Sequence, residues 1–246
     1  MHRRPHQLLF LPILVFMLIS LTSCRSTQEI QRTPEEVEFG KESVLEMMDL
    51  VVLAASDTIA NTERWKSVTA QLVPTAASGI FTIIDTIPGT QRLMDTYLLR
   101  TYEAMASMGS QIPRFFREEL KPTIEIKDPF AIIEGNNDAI TRHFASHLAP
   151  RLESWIVQRL SQEDGIAVVG AWDALLLHYN TYVKAQNQLN KQQEDLQLQT
   201  IDVTIEQTIM VSFLREFIAA MTTQEALLRT MAPAYDDPRI TIFSTP

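Results

Sequence analysis

Apolar residues recur every four positions over two long stretches of this chain, and this spacing constrains the fold more than any other feature. The two series begin at Ile140 and Ile201, and shorter series of the same kind begin at Leu45, Leu93 and Trp172. A spacing of three to four residues places side chains on one face of an α-helix, whereas strands need a period of two. The sequence therefore predicts an all-α protein, a helical bundle of about six to eight helices.

Proline and glycine predict where these helices begin and end. Pro113 suits the first turn of a new helix, and Pro150 must kink or restart the helix that contains it. Gly165 and Gly170 bracket a predicted loop. The Gln-rich residues 186–199 have two interpretations, a solvated helical extension or a long loop, and their composition favours the helix.

The charge and composition of the chain argue against several functions. Its 246 residues include 30 acidic and 21 basic side chains, a net charge of −9, and the acids are spread along the chain. Such a surface does not attract phosphate backbones, so we expect no nucleic-acid partner. Neither a phosphate-binding glycine loop nor a G-x-S-x-G nucleophile motif occurs. We therefore expect no cofactor, and the sequence favours a protein that is not an enzyme.

The first 23 residues have the pattern of a secretory signal peptide. A short basic region, HRRPHQ, precedes the uncharged run LLFLPILVFMLISL at residues 8–21. This run is shorter than the roughly 20 residues that a helix needs to cross a bilayer. A basic start followed by a short apolar region is typical of a signal peptide. An uncleaved membrane anchor is the alternative.

The end of this segment, Leu21-Thr22-Ser23-Cys24, resembles the lipobox of bacterial lipoproteins. In that motif the cysteine is lipidated and becomes the mature N-terminus. Two or three acyl chains anchor a protein firmly, whereas one chain holds it weakly. Arg25 stands where an aspartate would favour the inner membrane. We therefore predict a protein of the bacterial cell envelope, lipid-anchored to the outer membrane and facing the periplasm.

These patterns divide the chain into four segments. Residues 1–23 form the signal peptide, 24–36 a lipidated polar tether, 37–233 a single helical domain and 234–246 a C-terminal tail. No internal repeat and no strong boundary divides the long third segment. The folded part of the mature chain is thus expected to be one helical domain.

Four segments carry a resemblance to a known family. They are a proline-led short helix in LVPTAASGIFTIIDTIPG, a long helix in QRLMDTYLLRTYEAMA, a turn and helix in DPFAIIEGNNDAITRHF, and the closing TTQEALLRTMAP. In this pattern residues 74–233 resemble a bacterial lipoprotein family catalogued as domain of unknown function 4197. Glu225, Arg229 and Pro233 match its closing pattern, while Gln224 replaces an acid. The resemblance implies an exported helical lipoprotein and no particular reaction.

His143 and His147 are the strongest candidates for a metal site. A spacing of four puts both imidazoles on one face of a helix, as in metal sites, and Asn137 or Asp138 is expected to cap that helix. The glutamate of the H-E-x-x-H motif is missing, however, and both histidines lie about 100° off the apolar stripe, which favours two partly exposed helix residues. A metal would need a third ligand, from His178 or a carboxylate.

Glu225 and Arg229 are the second candidate site. They lie four residues apart on the last predicted helix. One interpretation is a helix-supporting ion pair that contributes about 0.2–0.5 kcal/mol. The other is that Arg229 reaches into the bundle to hold a buried acid or an anionic ligand, which would make both residues part of a binding site.

Three functions follow from these observations. The first is a membrane-anchored, non-enzymatic binding or structural component of the envelope, with its protein or lipid partner left open. The second is a carrier of an apolar ligand or lipid between the Met- and Ile-rich helices. The third is a metal-dependent hydrolase that uses His143 and His147.

Overall fold

The apolar series form helices throughout the part of the chain that the computed structural model describes, residues 32–191 and 197–244. Those residues contain no strand, so the all-α prediction is confirmed. They contain ten helices, and four of these are single turns of four or five residues, which explains the excess over the predicted six to eight. The predicted signal peptide, Cys24 and most of the tether lie outside the described residues.

Four long helices make up most of the fold. In chain order the helices are α1 (Pro34–Ile59), α2 (Thr62–Lys66), α3 (Gly79–Ile83), α4 (Thr90–Phe115), α5 (Pro129–Ile133), α6 (Ala139–His147), α7 (Ala149–Leu160), α8 (Glu163–Leu189), α9 (Glu206–Met231) and α10 (Pro238–Thr241). α1, α4, α8 and α9 each have 26 or 27 residues and extend about 40 Å.

The long helices enclose one apolar core. α1 contacts α4, α9, α5, α6 and α10, while α8 packs against α4, and α7 contacts both α8 and α9. Aromatic rings fill much of the space between them. Trp65 stacks on Phe213 with ring centroids 5.7 Å apart, and Phe144 meets Phe217 edge-on at 5.7 Å. Every long helix thus contributes its apolar face to the same core.

α4 passes close to the C-terminal end of α1, and Gly109 makes this approach possible. A Cβ atom at position 109 would lie 3.0 Å from the amide nitrogen of Ala60 and 3.0 Å from the side chain of Ile59. Such distances are shorter than ordinary van der Waals contacts, and a backbone atom cannot easily move away. A larger residue would therefore force the two helices apart.

The end of α4 departs from the predicted pattern. Pro113 does not begin a new helix but lies inside α4, which continues directly into a π-helical turn, Phe116–Leu120. A proline lacks the N–H that the helix needs and crowds the preceding turn, so regular α-helical bonding is interrupted here. Arg117 and Lys121 then reach Asp49 of α1, at 2.8 and 3.3 Å, and fasten the turn to that helix.

The predicted loop between Gly165 and Gly170 is helical instead, because both residues belong to α8. Gly165 is buried, and a Cβ atom there would lie 2.0 Å from the carbonyl oxygen of Leu160 at the end of α7. Gly165 is therefore needed because α7 and α8 approach closely at the tight turn between them. It does not mark a loop. Pro150 restarts a helix as predicted, since it lies in the first turn of α7.

The Gln-rich region is only partly helical. α8 ends at Leu189, and residues 197–205 lie outside any regular helix. The apolar series that begins at Ile201 predicted a helix from that residue, but α9 begins only at Glu206. The first two members of the series pack into the core from an irregular segment, because Ile201 and Ile205 are both buried.

Side-chain amides of α8 hold this segment in place. Asn180 makes two hydrogen bonds with the backbone of Ile201, of 2.7 and 2.8 Å. Asn187 makes two with the backbone of Leu198, of 2.8 and 2.9 Å. These contacts satisfy backbone groups that a helix would have satisfied internally, so the segment stays non-helical despite its apolar spacing.

The limits of the folded domain differ from the predicted ones. α1 begins at Pro34, inside the predicted tether, and residues from Pro34 onward belong to one compact unit. The predicted tail is part of this unit, because Ile240 and Phe243 are only 2% and 1% exposed. Ile240 belongs to α10, a helix of four residues that packs on α1, and Phe243 follows that helix. So short an element leaves no periodic signal in a sequence.

Candidate functional site

Glu225 lies fully buried in the bundle and caps another helix. Its carboxylate accepts hydrogen bonds from the amide N–H groups of Ile140 and Thr141, at 3.0 and 2.8 Å, and from the hydroxyl of Thr141 at 2.8 Å. These amides belong to the first turn of α6, which has no partner for them within its own helix. Asp138 precedes α6 but makes no side-chain cap, so the predicted cap is supplied by α9 instead.

Arg229 completes this network from the same helix. Its Nε donates to Glu225 at 3.0 Å, while its two terminal nitrogens donate to the carbonyl oxygens of Ile132 and Ile133, both at 2.9 Å. The ring of Phe243 lies 5.0 Å from the guanidinium carbon. Arg229 therefore reaches into the bundle to hold a buried acid, as one interpretation predicted. A role in binding a ligand stays a prediction, because these contacts all go to the protein itself.

The histidine pair lies at the edge of α6. His143 and His147 stack with ring centroids 4.4 Å apart and ring planes 28° apart. His143 is half-buried and His147 is exposed. Nδ1 of His147 lies 2.9 Å from the carbonyl oxygen of His143, while Nε2 of His143 is buried without a hydrogen-bond partner. Burial, together with the neighbouring His147, lowers the pKa of His143 below its ordinary value of 6.5.

The stacked geometry is poorly suited to binding a metal ion. The nitrogen lone pairs of imidazole lie in the ring plane, so two nearly parallel rings direct them side by side and not toward one point. Zinc requires ligands that converge at about 2.0–2.1 Å. Within residues 32–191 and 197–244, no group of three His, Cys, Asp or Glu side chains could hold a metal ion. The metal site at His143 and His147, and the hydrolase function that depends on it, stay predictions, and the described residues supply no third ligand for such a site.

A cleft in the described surface lies between α4 and α7. It is open to solvent and has a volume of about 600 Å³. Two aromatic residues, Phe115 and Trp155, and seven polar or charged residues line it. The lining of the cleft thus combines two ring surfaces with many hydrogen-bonding groups, which makes it more polar than most ligand pockets.

The two rings are held in a fixed arrangement. Phe115 is the last residue of α4, and Trp155 lies in the middle of α7. Their ring centroids are 4.9 Å apart and their planes differ by 19°, an offset stack that favours one orientation of both rings. The π-helical turn that begins at Phe116 follows directly, and such turns occur frequently at functional sites.

Charged side chains of both signs surround the rings. Nε of Arg114 donates to both carboxylate oxygens of Glu118 at 3.0 Å. Arg151 donates to the hydroxyl of Thr123, and Glu119 lines the cleft from the π-helical turn. Two arginines and two glutamates line the cleft, so their formal charges cancel.

Smaller clefts adjoin this one and share its lining residues. Arg151 also lines a cleft of about 300 Å³ beside His147 and Glu125. Arg114 and Glu118 also line a cleft of about 480 Å³ against α1. The candidate site is therefore the middle of a longer row of depressions along one side of the bundle. We name this row the α4–α7 groove.

Sequence reasoning did not find this groove, although one signal was present. Trp155 stands beside Ile156 but off the apolar stripe of α7, where a large aromatic residue is unusual. An aromatic residue between a buried stripe and a polar face often marks a binding surface. The contact with Phe115, 40 positions earlier, has no sequence signal, because it depends on how α4 and α7 pack.

Comparisons with protein-family models, curated proteins and solved structures found no match for this chain. The resemblance to the lipoprotein family of residues 74–233 therefore stays a prediction. In the described part of the chain, no helix is both long enough and apolar enough to cross a bilayer.

Proposed function

We propose that this chain is a lipid-anchored protein of the bacterial cell envelope, on the outer membrane and facing the periplasm, that acts by binding and not by catalysis. The α4–α7 groove is its binding site. The observation that carries this proposal is the stacked Phe115–Trp155 pair, which lines an open cleft together with polar groups. Aromatic residues on an accessible surface are the usual anchors of binding sites.

The sequence before the folded domain supports the anchor. Cys24 ends the Leu21-Thr22-Ser23-Cys24 pattern, and nine residues separate it from the start of α1 at Pro34. A segment of that length reaches about 30 Å when fully extended. A lipid on Cys24 would therefore keep the groove near the membrane surface and leave the domain outside the bilayer.

The groove favours this proposal over the apolar carrier. Its central cleft is lined by polar and aromatic side chains and opens to solvent. A carrier needs an enclosed apolar cavity, because an exposed apolar ligand gains little from leaving water. The Met- and Ile-rich faces of the helices, where the carrier hypothesis placed its ligand, pack into the core.

Replacing Cys24 by serine tests the anchor. The natural chain should incorporate labelled palmitate and stay with the membrane fraction after a high-salt wash, while Cys24→Ser should incorporate none. Ser26→Ala, two residues further on, is the matched control and should stay with the membrane. Absence of the label from the natural chain, or its incorporation into Cys24→Ser, would contradict a lipid anchor at Cys24.

A further inference from the structure

The chemistry of the central cleft restricts the class of ligand that it can take. No aliphatic side chain is among the described residues that line it. Acyl chains are bound through extensive contact with aliphatic surface, which this cleft does not offer. A lipid tail or another purely apolar ligand is therefore a poor match.

The balance of charge restricts the ligand further. Arg114 and Arg151 are offset by Glu118 and Glu119, and Arg114 is already paired with Glu118 at 3.0 Å. Sites for phosphates and other strong anions gather several cations without countercharges, and sites for cations do the reverse. The cleft therefore suits a ligand without a strong net charge.

The remaining groups favour a ligand that is rich in hydroxyls. Gln158 adds an amide to the guanidinium and carboxylate groups, and Gln111, whose amide nitrogen donates to Ser107, adds an acceptor oxygen, so the cleft offers planar polar groups on both helices. Such groups bind neighbouring hydroxyls two at a time, while the C–H face of a sugar ring stacks on an aromatic ring. Phe115 covers one face of the Trp155 ring, so a sugar ring would stack on the other face.

We infer that the α4–α7 groove binds an uncharged saccharide, with Trp155 as its stacking platform. This inference rests on the proposed binding function and names its ligand class. Two adjoining clefts, one sharing Arg151 and the other sharing Arg114, enlarge the site. The ligand is therefore an oligosaccharide of several units and not a single sugar.

The tryptophan content of the chain provides a direct assay. Of its three tryptophans, Trp65 and Trp172 are 0% and 1% exposed, whereas Trp155 is half-buried in the cleft. A ligand that stacks on Trp155 should therefore change the emission of that residue alone. We would titrate the mature chain with chitotetraose, cellotetraose and maltotetraose, three neutral tetrasaccharides of different linkage, and follow both fluorescence and heat.

At least one tetrasaccharide should bind saturably and change the tryptophan emission. Trp155→Ala should weaken its binding by about tenfold or more, measured by calorimetry, because a stacking contact of this kind accounts for about one decade in affinity. Trp155→Phe retains a ring and should lose less. Phe81→Ala removes another exposed aromatic residue, outside the cleft, and should bind as the natural chain does.

The possible failures are distinguishable from one another. If none of the three tetrasaccharides binds a chain whose helical circular dichroism is intact, the saccharide inference is overturned. Binding of a capped tetra-alanine peptide in their place, lost in Trp155→Ala, would overturn the ligand class and leave the binding function standing. Tetrasaccharide binding that is unchanged in Trp155→Ala would overturn the assignment to this groove.

Discussion

Two arginine–glutamate pairs in this protein share the same spacing and the same distance but lie in opposite environments. Glu225 and Arg229 on α9 are 0% and 2% exposed, whereas Arg114 and Glu118 at the end of α4 are 81% and 56% exposed. Each pair is separated by four residues, and each has an N–O distance of 3.0 Å. The spacing is therefore the same, although the order of acid and base is reversed, and the surroundings distinguish a structural contact from a surface one.

The difference shows that burial and further hydrogen-bond partners, and not the N–O distance, decide how much an ion pair contributes to stability. The buried pair gives its remaining hydrogen bonds to the first turn of α6 and to the carbonyls of Ile132 and Ile133. Removing either member would leave the other as an unpaired charge that water cannot reach. The exposed pair is solvated with or without its partner, so its free energy of interaction is small.

Removing the buried arginine should give the largest effect. Arg229→Ala leaves the Glu225 carboxylate without its cation, so we expect a loss of about 3–5 kcal/mol in the free energy of unfolding. Urea denaturation followed by circular dichroism measures it. Arg229→Lys keeps the charge but not the forked donors and should lose less. A loss below about 1 kcal/mol in Arg229→Ala would show that the network contributes little.

A pair of glycines extends the comparison to backbone contacts. Gly109→Ala places a Cβ atom 3.0 Å from the amide nitrogen of Ala60, directly after α1, and should destabilise the protein by about 1–2 kcal/mol. Gly170→Ala meets no atom within 4 Å and should stabilise the exposed middle of α8 by about 0.5–1 kcal/mol. The same denaturation measurement compares them, and effects of equal sign would contradict the described close approach of α4 to α1.

His143 is half-buried and so lies between the buried and the exposed pair in its environment. The effect of pH on stability tests how much this burial disfavours its protonated form. Because burial lowers its pKa, the folded chain binds this proton less tightly than the unfolded chain does. Its contribution to stability is therefore complete above the ordinary pKa of about 6.5 and is lost as pH falls from there toward the folded pKa. We expect the natural chain to lose more stability than His143→Gln between pH 7.5 and pH 5.

Carboxylates also titrate in part of that range, so the difference between the two proteins is the quantity to measure. Urea midpoints at both pH values, obtained for the natural chain and for His143→Gln, provide it. An equal or smaller loss in the natural chain would mean that His143 is protonated in the fold without a penalty.

The exposed pair should give the smallest effect. Arg114→Ala removes an ion pair that is largely solvated, and we expect a change in the free energy of unfolding of less than about 0.5 kcal/mol. Glu118→Ala is the reciprocal control and should behave in the same way. A loss approaching that of Arg229→Ala would show that exposure does not separate the two pairs.

Sequence reasoning succeeded where a pattern repeats along the chain. The four-residue series predicted the all-α fold, and Pro150 marked the restart at α7, because both signals are local. It did not predict that Pro113 lies inside a helix or that Gly165 serves a close approach to Leu160. The role of a proline or glycine depends on what packs beside it, which one chain segment does not reveal.

The candidate sites show the same limit. The spacing of Glu225 and Arg229 predicted their contact, but the cap on Thr141 joins residues 84 positions apart and has no local signal. Phe115 and Trp155 likewise meet only through the packing of α4 and α7. Cys24 and its lipid stay a prediction, since that residue lies outside the described part of the chain.

The two asparagines that hold the segment after α8 fix the distance between the backbone positions that they contact. Asn180 and Asn187 are two helical turns apart, about 10.5 Å, and their partners Ile201 and Leu198 are three extended residues apart, about 10 Å. The amides contact only backbone atoms, so the side chain at position 198 is free to vary as far as they are concerned. One inserted residue between 198 and 201 would put the two spacings out of step, whereas a substitution at the exposed Gln199 or Thr200 would leave both pairs of hydrogen bonds intact.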